Sequence, residues 1–279
     1  MRLVSGATGE RDALVARLAV AGCVAADEEA DELVAAAAGD AEMLERLVAR
    51  RVVGEPLAWV TGTVQFLGHR VRVHPGVYVP RWQTEMLAAR AVELLPEGGL
   101  AADLCTGAGA IAIAMARARP GARVVATDLD RAACRCARAN AIAGAHAGGS
   151  VGAVGAVGAV VVLAGHLADP VPAELHGLFD VVVAVVPYVP SEEIPYLPRD
   201  VREHEPLRAL DGGPGGVRLL EQAVWAGAGL LRNGGSLLLE LGGDQHRAML
   251  PVLQAAGYGP PRVLVDDDGD VRAVEARYR

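Results

Sequence analysis

The chain has 279 residues, 26 of them basic and 34 acidic, a formal charge of −8 and four cysteines. That length can bury one large core, or a medium one with a small companion, and the acidic balance argues against broad nucleic-acid binding without excluding a protein partner. No apolar run approaches the ~20 residues that span a bilayer, the N-terminal "MRLVSGATGERDALVARL" lacks a basic-then-apolar leader, and Cys23, Cys105, Cys134 and Cys136 show no paired CxxC spacing, so a cytoplasmic chain with reduced thiols and no metal site is expected.

Residues 1–60 read as a small helical domain. "ERDALVARLAVAG" sets Leu14, Val15 and Leu18 on one side and stops at Gly22, and "DAEMLERLVARRVVG" opens at Asp40, a good N-cap. Residues 61–82 contain "TGTVQFLGHRVRVHPGVYVP", which alternates apolar and polar and turns at Gly68 and at Pro75-Gly76, a β-hairpin linker. From residue 83 to 279 helical spacing returns once, and then strands and helices alternate: "LAADLCTG", "AIAIAMARARP", "ARVVATDLD", "RAACRCARANAIAG", "AVVVLAG", "FDVVVAVV", "GGVRLLEQAVWAGAGLL", "GSLLLELG". Nearly all-apolar strands between helices require a parallel sheet covered on both faces, and "RVLVDDDGDVRAVEARY" adds an antiparallel hairpin around Asp268-Gly269. The fold class is therefore α/β, a doubly wound Rossmann-like sheet finished by an antiparallel hairpin. The Val-Gly-Ala repeat at 151–159 reads as a flexible excursion. Trp59, Trp82 and Trp225 read as packing residues, each in an apolar setting.

The chemistry concentrates at "DLCTGAGAIA", where a strand turns through glycines into a helix. Gly107 and Gly109 let backbone approach a ligand, and the helix N-terminus adds positive potential. Asp128 ends the next strand about twenty residues on, where an acid can take both ribose hydroxyls. Two classes fit this: a nicotinamide-dependent oxidoreductase and an S-adenosylmethionine-dependent methyltransferase. Asp103 favours the second, because a carboxylate there can face the cationic methionine end of that cofactor. In such a sheet the loop after the fourth strand also faces the ligand, so "VVPY" at Val185, Val186, Pro187 and Tyr188 is the candidate catalytic corner.

From residue 54 onward the chain resembles the HemK/PrmC family of protein-(glutamine-N5) methyltransferases, in the form of a divergent, actinobacterial-type paralogue. "VYVPRWQTEML" is similar to the family's PR-x-E-T-E-x-L, "DLCTGAGAIAIA" to D-L-G-T-G-S-G-A-I-A, and "EHEPLRALDGGPGG" to EP-x-x-AL-x-G-G-x-x-G. The resemblance implies S-adenosylmethionine held by Asp103, Cys105, Thr106, Gly107, Ala108, Gly109, Asp128 and Leu129, with His166 and Leu167 at the adenine. It implies Arg81, Glu205 and Pro206 in a substrate loop, and as acceptor the glutamine of a release factor's Gly-Gly-Gln loop. No direct nucleic-acid or membrane partner follows from it.

Two departures bear on function. The family corner is Asn-Pro-Pro-Tyr, and here Val185 stands where the Asn side-chain oxygen would accept an amide hydrogen. His166 stands where an acid usually meets the adenine amino group, although a neutral imidazole can still accept there. Three readings follow: glutamine methylation retained, a methyltransferase retargeted to another acceptor such as a small molecule, or a binding protein without catalysis.

Overall fold

A computed structural model describes residues 4–146 and 160–279. The Val-Gly-Ala repeat at 151–159 lies outside the described residues.

Three helices open the chain: α1 (Val4–Val20), α2 (Ala26–Ala37) and α3 (Ala41–Val52). Leu14 and Leu18 on one stripe of α1 are buried with Leu33, Leu47 and Val48. The Asp40 carboxylate caps α3, accepting from the Met43 amide at 3.0 Å. A fourth, short helix, α4 (Leu57–Thr61), follows Pro56, and its Trp59 is buried with Nε1 donating to the Val77 carbonyl at 2.9 Å. Strands β1 (Thr63–Phe66) and β2 (His69–Arg72) then form the hairpin expected from their alternation.

After α5 (Glu85–Leu94) the alternating part begins: β3 (Leu100–Leu104), α6 (Ala110–Ala118), β4 (Arg123–Asp128), α7 (Arg131–His146), β5 (Val160–Ala164) and β6 (Phe179–Ala184). The stretch to the next long helix carries no strong periodicity. It nevertheless holds β7 (Val189–Pro190), α8 (Arg199–His204) and β8 (Asp211–Gly213), with β7 and β8 paired as a small parallel ladder. The chain ends with α9 (Arg218–Leu230), β9 (Leu231–Glu240), α10 (Gln245–Ala255), β10 (Arg262–Val265) and β11 (Val271–Arg277).

The main sheet has seven strands in the order β10-β11-β9-β6-β3-β4-β5. The five strands β9-β6-β3-β4-β5 run parallel, and β11 pairs antiparallel with both β9 and β10. Alternation along each strand feeds two cores. Ala101, Val181, Val183 and Leu238 face α5, α6 and α7, while Leu104, Val182, Leu237 and Leu239 face α9 and α10. Strand order reverses between β3 and β6, and the open ground for a ligand lies beyond the carboxyl ends of the strands at that switch.

The tryptophans correct the packing expectation in two cases of three. Trp82 is 67% and Trp225 is 55% exposed. The buried stripe of α9 is Leu220, Ala223, Val224, Gly227 and Leu230, and Trp225 falls off it; Trp82 opens the tight turn before α5 and faces a cleft.

Candidate active site

The turn after β3 is built from its own short-range bonds. Thr106 donates its hydroxyl to Asp103 Oδ2 at 2.6 Å and its amide to the Thr127 carbonyl at 2.9 Å, and the Gly109 amide closes back on the Thr106 carbonyl at 2.8 Å. Asp103 Oδ2 also accepts from the Ala112 amide at 3.0 Å, so one buried carboxylate ties the strand end to the first turn of α6. Burial pushes the Asp103 carboxyl up to about 7, against the pull of those two donors. Gly109 begins α6 at φ +84°, and a Cβ there would stand 3.0 Å from Ala137 Cβ, so the residue serves both the turn and the close approach of α7. Gly107 opens on free space, with no atom within 4 Å of where a side chain would begin.

Cys105 holds φ +61° in the same turn, a left-handed conformation that costs a side-chain-bearing residue roughly 1–2 kcal/mol. The family pattern has glycine at this position. Here the strained turn is kept with a thiol on it, and burial raises that thiol well above its ordinary range, so it stays protonated and inert. Ala108 is buried, and its carbonyl accepts from Asn140 Nδ2 at 2.9 Å. Asn140 also binds the Arg72 backbone at both ends, which pins the hairpin to the glycine turn. The sequence gives no local sign of that role.

At the tip of β4, Asp128 accepts from the Gly107 amide at 2.9 Å and from the Asp130 amide at 2.7 Å, one on each oxygen. Each oxygen keeps a further lone pair for a hydroxyl. Leu129 beside it is 67% exposed, an apolar surface at the mouth of the turn. His166, past β5, pairs through Nε2 with Gln222 Oε1 at 3.0 Å. With that oxygen as its partner Nε2 carries the proton, and in the neutral ring Nδ1 keeps its lone pair to accept. Leu167 is buried at φ +44° and shapes the loop from within. At the carboxyl ends of three neighbouring strands thus stand a buried acid, an open glycine turn, a carboxylate with free lone pairs, an exposed leucine and an imidazole, and the chemistry of this set fits a nucleoside with a cationic amino-acid tail.

The corner after β6 is held just as closely. Val185 packs partly buried on the α5 side of the sheet, and Val186 is buried on the other. Tyr188 donates its hydroxyl to Glu240 Oε1 at 3.1 Å, and its carbonyl accepts from Gln245 Nε2 at 2.8 Å. A Cβ at Gly216 would lie 2.0 Å from that same carbonyl, and one at Gly212 would lie 2.8 Å from the Pro187 carbonyl. The glycines of "DGGPGG" are therefore the bed on which Pro187-Tyr188 rests.

Arg81 and Glu205 meet, 124 residues apart in the chain, in an ion pair, with Glu205 Oε2 also taking the Val79 amide at 3.1 Å. Arg81 lies 4.9 Å from the centre of the Tyr78 ring. Glu205 is 5% exposed, so it anchors the 79–81 loop rather than reaching outward, and Pro206 follows it half-buried. Arg81, Trp82, Tyr188 and Glu240 form one wall of a cavity of about 890 Å³. The opposite wall comes from the turn 21–25 between α1 and α2 and from Arg51, which is bonded to Glu29 at 2.6 and 2.9 Å and lies 3.6 Å from Asp200 in α8. The contribution of residues 21–25 has no sequence signal, because only the docking of the helices brings them there.

Comparison with known proteins agrees with this fold. The profile of the Methyltransferase small domain family matches residues 70–157. A release factor glutamine methyltransferase of Moorella thermoacetica is 39% identical over 253 residues, covering 89% of this chain and 83% of that protein. A 4-amino-L-phenylalanine/4-methylamino-L-phenylalanine methyltransferase of Streptomyces pristinaespiralis is 35% identical, over 75% of this chain and 69% of its own. The crystal structure of a ribosomal protein L11 methylase from Lactobacillus delbrueckii subsp. bulgaricus shares the fold, with a TM-score of 0.50 at 18% identity over 75% of this chain and 86% of that one. Among the described residues no helix is long and apolar enough to cross a membrane, and no group of His, Cys, Asp and Glu could hold a metal. The chain belongs to the release factor glutamine methyltransferase (HemK/PrmC) family, methyltransferases that use S-adenosylmethionine as methyl donor.

Proposed function

We propose that the chain methylates the side-chain nitrogen of the Gly-Gly-Gln glutamine in a peptide-chain release factor. The observation that carries this is the match to proteins of that name, which runs through 89% of the chain. In this reading residues 1–60 and the hairpin at 61–82 grip the protein substrate, and residues 83–279 carry out the transfer. S-adenosylmethionine supplies, when bound, a methyl group made electrophilic by its sulfonium.

The residues of this chain then divide the labour by position. Asp103 and the open backbone of 105–109 take the amino-acid tail, Asp128 takes the ribose, and Leu129, His166 and Leu167 surround the base. The Val186 carbonyl accepts one amide hydrogen of the substrate, and Tyr188, fixed by Glu240, Gln245 and Gly216, forms the wall that aims the nitrogen. An amide nitrogen is a poor nucleophile, and orientation against acceptors of its two hydrogens is the main help a site can give it.

A second reading has an observation of its own. Val185 offers no acceptor, and one relative at 35% identity carries the name of an enzyme for a free aromatic amine. An amine has an available lone pair and does not need the Asn oxygen. The two readings separate in a transfer assay with methyl-labelled S-adenosylmethionine, run on purified release factor and on a small-molecule fraction in parallel. Label in the release factor, raised about fivefold by Val185→Asn for one added hydrogen bond, supports the first. Label only in the small-molecule fraction, with no gain from that substitution, refutes it in favour of the second.

A further inference from the structure

Glu240 closes β9 at the wall of the cleft and is 5% exposed. Its Oε2 is one of two buried side-chain polar atoms without a hydrogen-bond partner among the described residues. Oε1 holds the Tyr188 hydroxyl. Thr84, Tyr188 and Arg272 favour its charge, against a larger effect of burial; Tyr78 also faces it, and none of these groups bonds Oε2. A buried unpaired carboxylate oxygen is costly to keep, and such atoms in native proteins call for an explanation.

The sheet register supplies one. β6 and β9 pair Val183 with Leu238 and Ala184 with Leu239. One further step along both strands brings Val185 level with Glu240, and alternation turns both toward the face of Val183 and Leu238. The orphan oxygen therefore belongs to the side chain next to the position that has lost its acceptor.

We infer that Glu240 is a catalytic residue whose carboxylate binds an N–H of the acceptor nitrogen, in the place where Val185 offers only hydrocarbon, and takes up the proton released there. The inference rests on the proposed nitrogen methylation. As the nitrogen lone pair forms the new N–C bond, the electron pair of the old C–S bond returns to sulfur. The sulfonium becomes a neutral thioether and the nitrogen is left cationic. The nitrogen then releases one proton to Oε2, and solvent removes it after the product leaves. Oε2 is buried on a side chain that lines the cleft, so a nitrogen bonded there is shielded from solvent until the product leaves, and a charge-assisted hydrogen bond is strong in such a place.

The test uses the full chain, S-adenosylmethionine and two acceptors, a purified release factor and 4-amino-L-phenylalanine. Glu240→Gln keeps the shape and a partner for Tyr188 but removes the charge; Glu240→Ala removes both. Each is expected to lower kcat/KM about 10- to 100-fold, the size of one charge-assisted hydrogen bond. Affinity for S-adenosylhomocysteine, measured by calorimetry, should stay within about twofold, because the bonds of Glu240 run to Tyr188 and Thr84 and not to the glycine turn. Val185→Asn should restore about tenfold in the Glu240→Ala background and distinctly less in the wild type, since the two side chains serve one hydrogen. Glu240→Gln at the wild-type rate, strictly additive effects of the two positions, or a parallel loss of S-adenosylhomocysteine binding would each overturn the inference. Transfer to the amine but never to the release factor overturns the release factor reading, and Glu240 is then judged on the amine. Transfer to neither overturns both.

Discussion

Asp103 makes a pH prediction whose sign and size both come from its surroundings. Its carboxyl rises from 3.8 to about 7 in the folded chain, chiefly through complete burial, with the Thr106 hydroxyl and the Ala112 amide opposing and Asp128 adding slightly. The folded state thus holds a proton that the unfolded chain releases between about pH 4 and pH 7. Its contribution to stability is fully present below the unfolded pKa and is lost as pH rises through the folded one. At 1.36 kcal/mol per unit, the loss is about 2 kcal/mol at pH 5 and about 4 kcal/mol at pH 8, so this one side chain removes about 2 to 3 kcal/mol over that interval. Asp128, Glu205 and Glu240 are raised in the same direction, which makes the wild-type slope a sum. Asp103→Asn isolates one contribution to it: urea unfolding at pH 5 and pH 8, without cofactor, should show the variant losing about 2 to 3 kcal/mol less than the wild type between the two. Equal losses would refute the role given to burial. The same proton predicts that S-adenosylmethionine, whose ammonium needs the charged form, binds more tightly at pH 8 than at pH 6 in the wild type.

Three further outcomes follow from named contacts. Asp128→Ala removes the partner of the Gly107 and Asp130 amides together with the proposed ribose ligand, and calorimetry should show S-adenosylmethionine affinity falling at least about tenfold. Arg81→Met leaves Glu205 buried with only the Val79 amide; thermal unfolding should report a loss of about 3 kcal/mol, and adding Glu205→Gln should recover part of it. Trp82→Ala, at an exposed position, should change stability by no more than about 0.5 kcal/mol while raising KM for the release factor; an unchanged KM would remove Trp82 from the substrate wall.

Much of this site is legible in the amino-acid sequence, because its parts are local. A glycine turn between an apolar strand and a helix, an acid inside the strand and another at the tip of the next are all short-range statements, and the sheet places them as that grammar requires. The Asp40 cap and the closing antiparallel hairpin are legible for the same reason. The stretch between β6 and α9 is not: its small ladder depends on Val189 finding Asp211, and no periodicity announces that. The two tryptophans that fail to pack show the converse limit, since an aromatic ring in an apolar stretch faces whichever way its helix is docked.

Short-range pattern thus settles the order of elements, the sheet class and the glycine turn, since backbone propensity and apolar spacing act over a few residues. It takes the folded chain to bed the Tyr188 carbonyl on Gly216, to close Glu205 on Arg81, to join the hairpin to the turn through Asn140, and to bring the end of β9 beside the end of β6. Each of these joins residues far apart in the chain, and each depends on strand register and helix docking, which local patterns do not encode.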